Sequence, residues 1–210
     1  MLGWHQFDNT PLSGMLASTL LAHVRAELPS VHKVIIADYR HGLLSPAVVK
    51  NIIELCAHHH VPLYVDSQIS YGHTGNHSWY TGASLFCLNL KEAQSVDVQF
   101  DLREPKASLM RLKTILDAQH MVVKLGEKGS IALLGKEHVQ THAPAVEEVD
   151  ATGAGDSFLG ALALGEFPPT HEDLKRANIW AAFSVTQIGT VVPSISEYKE
   201  HLKKHRLHRH

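Results

Sequence analysis

The residues best suited to chemistry stand together at Asp150-Ala151-Thr152-Gly153-Ala154-Gly155-Asp156, directly before the apolar run Phe158-Leu159-Gly160-Ala161-Leu162. Small residues opening a helix leave its first N–H groups uncovered. With the helix dipole these groups favour an anion, so Gly153, Ala154 and Gly155 read as a phosphate cradle. A carboxylate just inside it, Asp156, is placed to accept a proton from a substrate hydroxyl while the backbone stabilises a phosphoryl group in transfer. Positioning and charge neutralisation are most of what such chemistry asks of a protein. Taken alone, Gly-Ala-Gly fits a tight turn for close helix packing equally well.

The elements that must position these residues follow from periodicity. Leu12 to Leu28 has helical spacing and stops at Pro29. Lys33 to Asp38 is a β-branched run of the kind buried on both faces of a parallel sheet. Ser45 as N-cap and Pro46 at the first helical position predict a helix over Ala47 to His58. Val61 to Asp66 and Ser84 to Leu88 read as further strands, separated by a loop containing Gly and His. Lys106 to Gln119 is helical, Met121 to Leu125 is a strand ending at Gly126, and Ser130 to Leu134 and His138 to Thr141 form an antiparallel hairpin through Gly135-Lys136. Gly153 to Leu164 and Glu172 to Gln187 are the last two major helices. The βαβ rhythm predicts a mostly parallel sheet, and with no repeat and no linker, residues 1–210 read as one domain. Ligands of such sheets bind beyond the carboxyl ends of the strands, where Asp38, Asp66, Asn89 and Gly126 all fall.

Val149 to Phe158 resembles the second signature of the ribokinase-like (phosphofructokinase B) family of carbohydrate kinases. That resemblance implies a three-layer α/β/α sandwich with an antiparallel hairpin edge, and Asp156 as catalytic base. Three further stretches match in order. Asn89-Leu90-Lys91-Glu92 is similar to a family Asn-x-x-Glu that organises magnesium and phosphates, and Val123 to Gly129 to the strand and turn flanking the nucleotide. Gln187-Ile188-Gly189-Thr190 is similar to a loop closing over adenine and a monovalent cation. The resemblance thus implies Asn89, Glu92, Lys124, Gly126, Gly129, Thr152 and Gly189 at ATP. It implies Glu92 at Mg²⁺, and Asp150 with carbonyls near Ser184 and Gly189 at a cation such as K⁺.

Ile36 to Leu44 and Pro62 to Asp66 are most similar to the heptose-7-phosphate kinase branch, with its Asp-Tyr-x-x-Gly-x-Leu and Val-Asp-Pro-Lys. Here Ser67-Gln68 replaces Pro-Lys, Lys124 stands where a threonine is common, and Leu88 replaces a proline. Full-length relatives carry an N-terminal portion with a Gly-Gly motif, much of the sugar site and a β lid, and this chain is expected to lack those strands and that lid. The reading is an ATP- and magnesium-dependent kinase of a sugar or sugar-phosphate hydroxyl; the alternative is a nucleotide-binding subunit that needs a partner chain for its acceptor site. Uncovered strand edges would then predict a homodimer or a partner. Two bland readings stay open: Asp150 as a turn cap, and Glu92 as a solvated helix residue.

Composition bounds the rest. With 210 residues, 44% hydrophobic and a formal charge of -2, the chain can bury a core and presents no broad basic field for nucleic acid. Cys56 and Cys87 sit in apolar runs as free thiols, which fits a reducing cytoplasm. No apolar stretch approaches the ~20 residues of a membrane helix, and Met1 to Phe7 lacks the regions of a signal peptide. Among the 17 histidines, His73 to His77 read as a surface loop rather than a metal pair, His58 to His60 as a helix end, and His201, His205, His208 and His210 as a fraying tail.

Overall fold

The structure is a computed structural model describing residues 10, 12–68, 77–190, 194, 196–197, 199–200 and 203. A six-stranded sheet runs in sequence order: β1 (Val34–Asp38), β2 (Leu63–Ser67), β3 (Leu85–Asn89), β4 (His120–Lys124), β5 (Ser130–Leu134) and β6 (Glu137–Thr141). β1 to β4 are parallel, and β5 and β6 return antiparallel.

Right-handed crossovers that always step to the next strand put their helices on one face of a sheet. That face carries α1 (Gly14–Glu27), α2 (Pro46–His58), α3 (Leu90–Val96) and α4 (Pro105–Ile115). Their apolar sides meet Ile36, Leu63, Val65, Phe86, Leu88, Met121, Val123, Ile131 and Leu133. The alternate residues Tyr64, Leu85, Cys87, Val122, Ala132 and Val139 face the other way, against α5 (Ala154–Ala163) and α6 (His171–Ser184). The period of two in a strand sorts the central strands into two cores, which is why they read as continuous apolar runs.

The expected three layers and hairpin edge are therefore present, with local differences. α4 stops at Ile115 because Asp117 turns left-handed at φ 47° and the Leu116 carbonyl accepts from Gly82 N instead. α6 ends at Ser184, and the Val185 carbonyl accepts from Val149 N and Asp150 N at 2.8 and 3.1 Å, tying the helix end to the Asp150 turn. β1 departs from the expectation of burial on both faces: Ile35 is 46% exposed and Ala37 is also exposed, because among the described residues β1 pairs with β2 alone and the core under α5 and α6 takes in no residue of β1.

His77 is another correction, since it is buried in a short 3-10 turn with its Nε2 hydrogen-bonded to the Ser67 carbonyl. His73 to Asn76 and the tail histidines 201, 205, 208 and 210 lie outside the described residues. His58 and His59 close α2 as expected, with His60 left-handed at φ 57°. Among the described residues no helix is long and apolar enough to cross a membrane.

Candidate active site

Parallel register brings the carboxyl ends of β1 to β4 to one edge: Ala37 pairs with Asp66, Asp38 with Ser67, and Asn89 with Lys124. A cleft of about 1110 Å³ opens there, and Asn89, Glu92, Lys124, Gly126, Gly129, Gly153, Ala154, Gly155 and Asp156 all line it. Of the other expected site residues, Thr152, Asp150, Ser184 and Gly189 are not part of that lining; they lie in the turn before α5, at the last residue of α6 and in the loop after it.

Side chains close the N-termini of α1, α2, α3 and α6, namely Ser13, Ser45, Asn89 and Thr170. α5 opens instead on Gly153, which is left-handed at φ 79° and has no side chain to offer. A Cβ on Gly153 would stand 3.1 Å from Thr190 Cγ2, so the turn and the loop after α6 require glycine in two ways. The Ala154 amide donates to the Ala151 carbonyl at 3.2 Å, so of the three amides expected to be open this one is used inside the turn. Among the described residues the Gly155 and Asp156 amides have no backbone carbonyl partner, as the first turn of a helix dictates.

Asp156 sits in that first turn. The Tyr39 hydroxyl, from the loop after β1, neighbours its carboxylate; burial first, and then that carboxylate, raise the phenol above its ordinary pKa. Sequence reasoning did not single out Tyr39 as a site residue, although it belongs to the quoted Asp-Tyr-x-x-Gly segment. Beside it, Asp38 accepts from Tyr80 Oη at 2.6 Å and from Arg40 N at 2.8 Å, which fixes the direction in which the loop leaves β1.

Asn89 and Glu92 form a reciprocal capping box: Asn89 Oδ1 accepts from Glu92 N at 2.9 Å, and Glu92 Oε2 accepts from Asn89 N at 2.6 Å. Glu92 is 3% exposed, which corrects the reading as a solvated residue. Lys124 pairs with the buried Asp66 from across the end of β3. Asp150 acts as a tie between loops, with Oδ1 accepting from Thr152 N and Oδ2 from Gly189 N, both at 2.9 Å. The Thr152 side chain first, and then these amide bonds, hold its carboxyl below the ordinary carboxylate range. The turn-cap reading of Asp150 is thus realised.

The far side of the cleft is made by Gly126 to Gly129 and Ala143 to Val146, facing Ala181, Ala182 and Val185 of α6 and its end. Gly129 is left-handed at φ 91°, and the backbone at Thr141 already occupies the place of a Cβ. Asn178 holds this wall together, donating to Ser130 Oγ at 2.9 Å and Thr141 Oγ1 at 2.6 Å. The result is a slot with apolar walls that ends at uncovered amides and an ammonium, a donor set that suits a nucleotide: base in the slot, phosphates at α5. Among the described residues no group of three or more His, Cys, Asp or Glu is arranged to hold a metal ion directly.

An open α/β sheet with its cleft at the carboxyl ends of the parallel strands and a glycine-opened helix across that edge defines the ribokinase-like class of fold. The chain belongs to the pfkB family of carbohydrate kinases, whose description matches residues 8–197. It is 35% identical over 196 residues to the bifunctional protein HldE of Campylobacter curvus, covering 90% of this chain and 40% of that protein. To the protein of the same name from Wolinella succinogenes it is 30% identical over 200 residues, covering 93% and 41%.

Among solved structures, phosphofructokinase-2 of Escherichia coli in complex with potassium superposes with a TM-score of 0.75 at 18% identity, covering 93% of this chain and 64% of that one. Ribokinase of Arabidopsis thaliana, complexed with ribose and ATP, gives 0.70 at 20%, covering 92% and 60%. At these identities the likeness is one of fold. The chain spans about 40% of the length of the curated relatives.

Proposed function

We propose that the chain carries the nucleotide-binding and phosphoryl-transferring part of a kinase acting on a hydroxyl of a sugar or sugar phosphate, on the pattern of the heptose-7-phosphate kinases. The observation that carries the reading is the meeting, in one cleft, of the uncovered first turn of α5, the Asp156 carboxylate and the Lys124 ammonium. In this reading the base of ATP lies between Ala143 to Val146 and α6, near Gly126 and Gly129, and Thr152 and Gly189 hold the loops that close over it. Asp156 accepts the proton of the acceptor hydroxyl as its oxygen bonds to the terminal phosphorus and the bond from that phosphorus to the bridging oxygen breaks, releasing ADP. The Gly155 and Asp156 amides bind the phosphoryl oxygens, with Gly153 and Ala154 setting the turn.

Tyr39, whose hydroxyl neighbours the Asp156 carboxylate, orients the base. Magnesium bound with the nucleotide supplies neutralisation of the phosphate charge, and Asn89 and Glu92 are the residues that would hold it through water. A monovalent cation near Asp150, with the carbonyls of Ser184 and Gly189, belongs to the reading by resemblance alone. Both Asp150 oxygens are already engaged by amides, and no step is assigned to the cation.

The test is ADP release from Mg-ATP against heptose, hexose and pentose phosphates and free sugars, with Asp156→Asn as control. Release that needs an acceptor and is abolished by Asp156→Asn supports the reading; release equal in the variant refutes it. A second reading, a partner-dependent subunit, is favoured by β1, which among the described residues pairs with β2 alone, by its exposed Ile35 and Ala37, and by the exposed Tyr39 and Leu43 in the loop after it. ATP binding without turnover, together with self-association on size-exclusion chromatography, would support it. A cytoplasmic setting with no nucleic-acid or membrane partner completes the proposal.

A further inference from the structure

Lys124 lies at the end of β4 in a position where the resemblance leads one to expect threonine, and its surroundings give it more to do than a threonine could. Its side chain crosses the end of β3 to pair with Asp66 of β2, and both are largely buried, with side chains 16% and 9% exposed. A methyl group on Gly155 would stand 3.1 Å from the Lys124 ammonium and 3.9 Å from Asp66 Oδ2. The ammonium therefore packs against the first turn of α5, next to the open amides and one residue from Asp156, and stands closer to that turn than the carboxylate does.

The charge on this lysine is secure. Burial opposes it, but the Cys87 position, Asp66 and Glu92 together raise its pKa. Cys87 is itself neutral at pH 7, its thiol pushed up to about 12 by burial, which leaves the two carboxylates as the charges that keep Lys124 protonated. An ammonium has three donors. Among the described residues Asp66 takes one, and the others remain for a group entering the cleft that Lys124 lines.

We propose that Lys124 is a phosphate-binding residue of this chain, its ammonium contacting the terminal phosphoryl group of a nucleoside triphosphate, with Asp66 as the positioning residue that holds it over α5. The inference rests on the nucleotide reading of the cleft given above. It also makes sense of a pair of departures: the cation expected after β2 is absent, Gln68 standing there, and β4 supplies one in its place. The competing view is that the ion pair only ties β2 to β4.

Replacing both charges by near-isosteric neutral groups separates these views, because a buried pair removed as a unit is often close to neutral for stability, whereas removing one partner strands the other. In Asp66→Asn/Lys124→Met, titrations with ATP, ADP and AMP should show the affinity for ATP falling ~10-fold or more, the scale of a charge-assisted hydrogen bond. AMP affinity should change less than about two-fold on the same argument. An unchanged ratio of ATP to AMP affinity in the double variant overturns the proposal.

Should that variant fail to fold, the wild-type chain decides the matter. The ¹⁵Nζ resonance of Lys124, assigned from its loss in Lys124→Arg, should shift on adding ATP and stay in place with AMP, and no response to ATP overturns the proposal. A wild-type chain that binds neither nucleotide brings down the nucleotide reading itself, whereas tight ATP binding indifferent to Lys124 sinks only this inference.

Discussion

Gly153→Ala and Gly160→Ala make the same substitution seven positions apart and should act with opposite sign. Gly160 is inside α5 with nothing within 4 Å of a new Cβ, so alanine there reduces the freedom of the unfolded chain and should stabilise by roughly 0.5–1 kcal/mol. Gly153 is left-handed at φ 79°, which costs a residue with a Cβ about 1–2 kcal/mol, and the new methyl also meets Thr190 Cγ2 at 3.1 Å. If the backbone holds its shape, the cost appears as lost stability of about that size, measured by urea unfolding. If the turn instead shifts to relieve the strain, the cost moves to the phosphate site, and nucleotide affinity falls by roughly 5–30-fold, the equivalent of the same free energy. Urea unfolding with and without ADP, run on both variants, reads the two routes together. A Gly153→Ala chain with wild-type midpoint and wild-type nucleotide affinity would refute the argument that this turn is held in its conformation by α5 and Thr190.

Tyr39→Phe removes the hydroxyl beside the Asp156 carboxylate on a half-exposed side chain, so kcat/KM should fall by up to about ten-fold with ATP affinity unchanged; a wild-type rate would remove Tyr39 from the site. His120 is buried against Phe167 with Nδ1 accepting from Gly135 N, and burial, with Lys113 nearby, lowers its pKa to about 4. The unfolded chain, with histidine near its ordinary value of 6.5, takes up this proton first as pH falls. Stability should therefore be lost between about pH 6.5 and 4, at up to ~1.4 kcal/mol per pH unit from this residue, and a His120→Asn variant should lose that component of the urea-midpoint profile. Cys56 and Cys87 are buried, with thiols pushed up to about 11 and about 12, so alkylation at pH 8 should proceed only through unfolding; rapid labelling of the native chain would contradict the packing of both cores.

Strand ends were readable because an apolar run that meets a polar residue at Asp38, Asp66 or Asn89 states to within a residue where a strand ends and what it offers there. The cradle was readable for the same kind of reason, since Gly153 and Gly155 are residues a capped helix would not choose. Less accessible was anything decided by register or by distant partners. Lys124 and Asp66 are 58 residues apart, and only the parallel pairing of β2, β3 and β4 brings them together. Tyr39 reaches Asp156 because of how Asp38 and Arg40 turn the chain after β1. The exposure of Ile35 could not be read from its own segment, which looks like any buried parallel strand; it depends on the core under α5 and α6 taking in no described residue of β1. Asn89-x-x-Glu92 was singled out by resemblance, and the structure makes it a capping box that is both the start of α3 and part of the cleft lining.

The central claim is that phosphates bind at the first turn of α5, and amide chemical shifts measure that place directly. In a ¹⁵N-labelled chain titrated with magnesium and a non-hydrolysable ATP analogue, the Gly155 and Asp156 amides should show the largest saturable shifts, with smaller ones along Ala181 to Val185. Shifts confined to other surfaces, with Gly155 and Asp156 unmoved at saturation, would contradict the account.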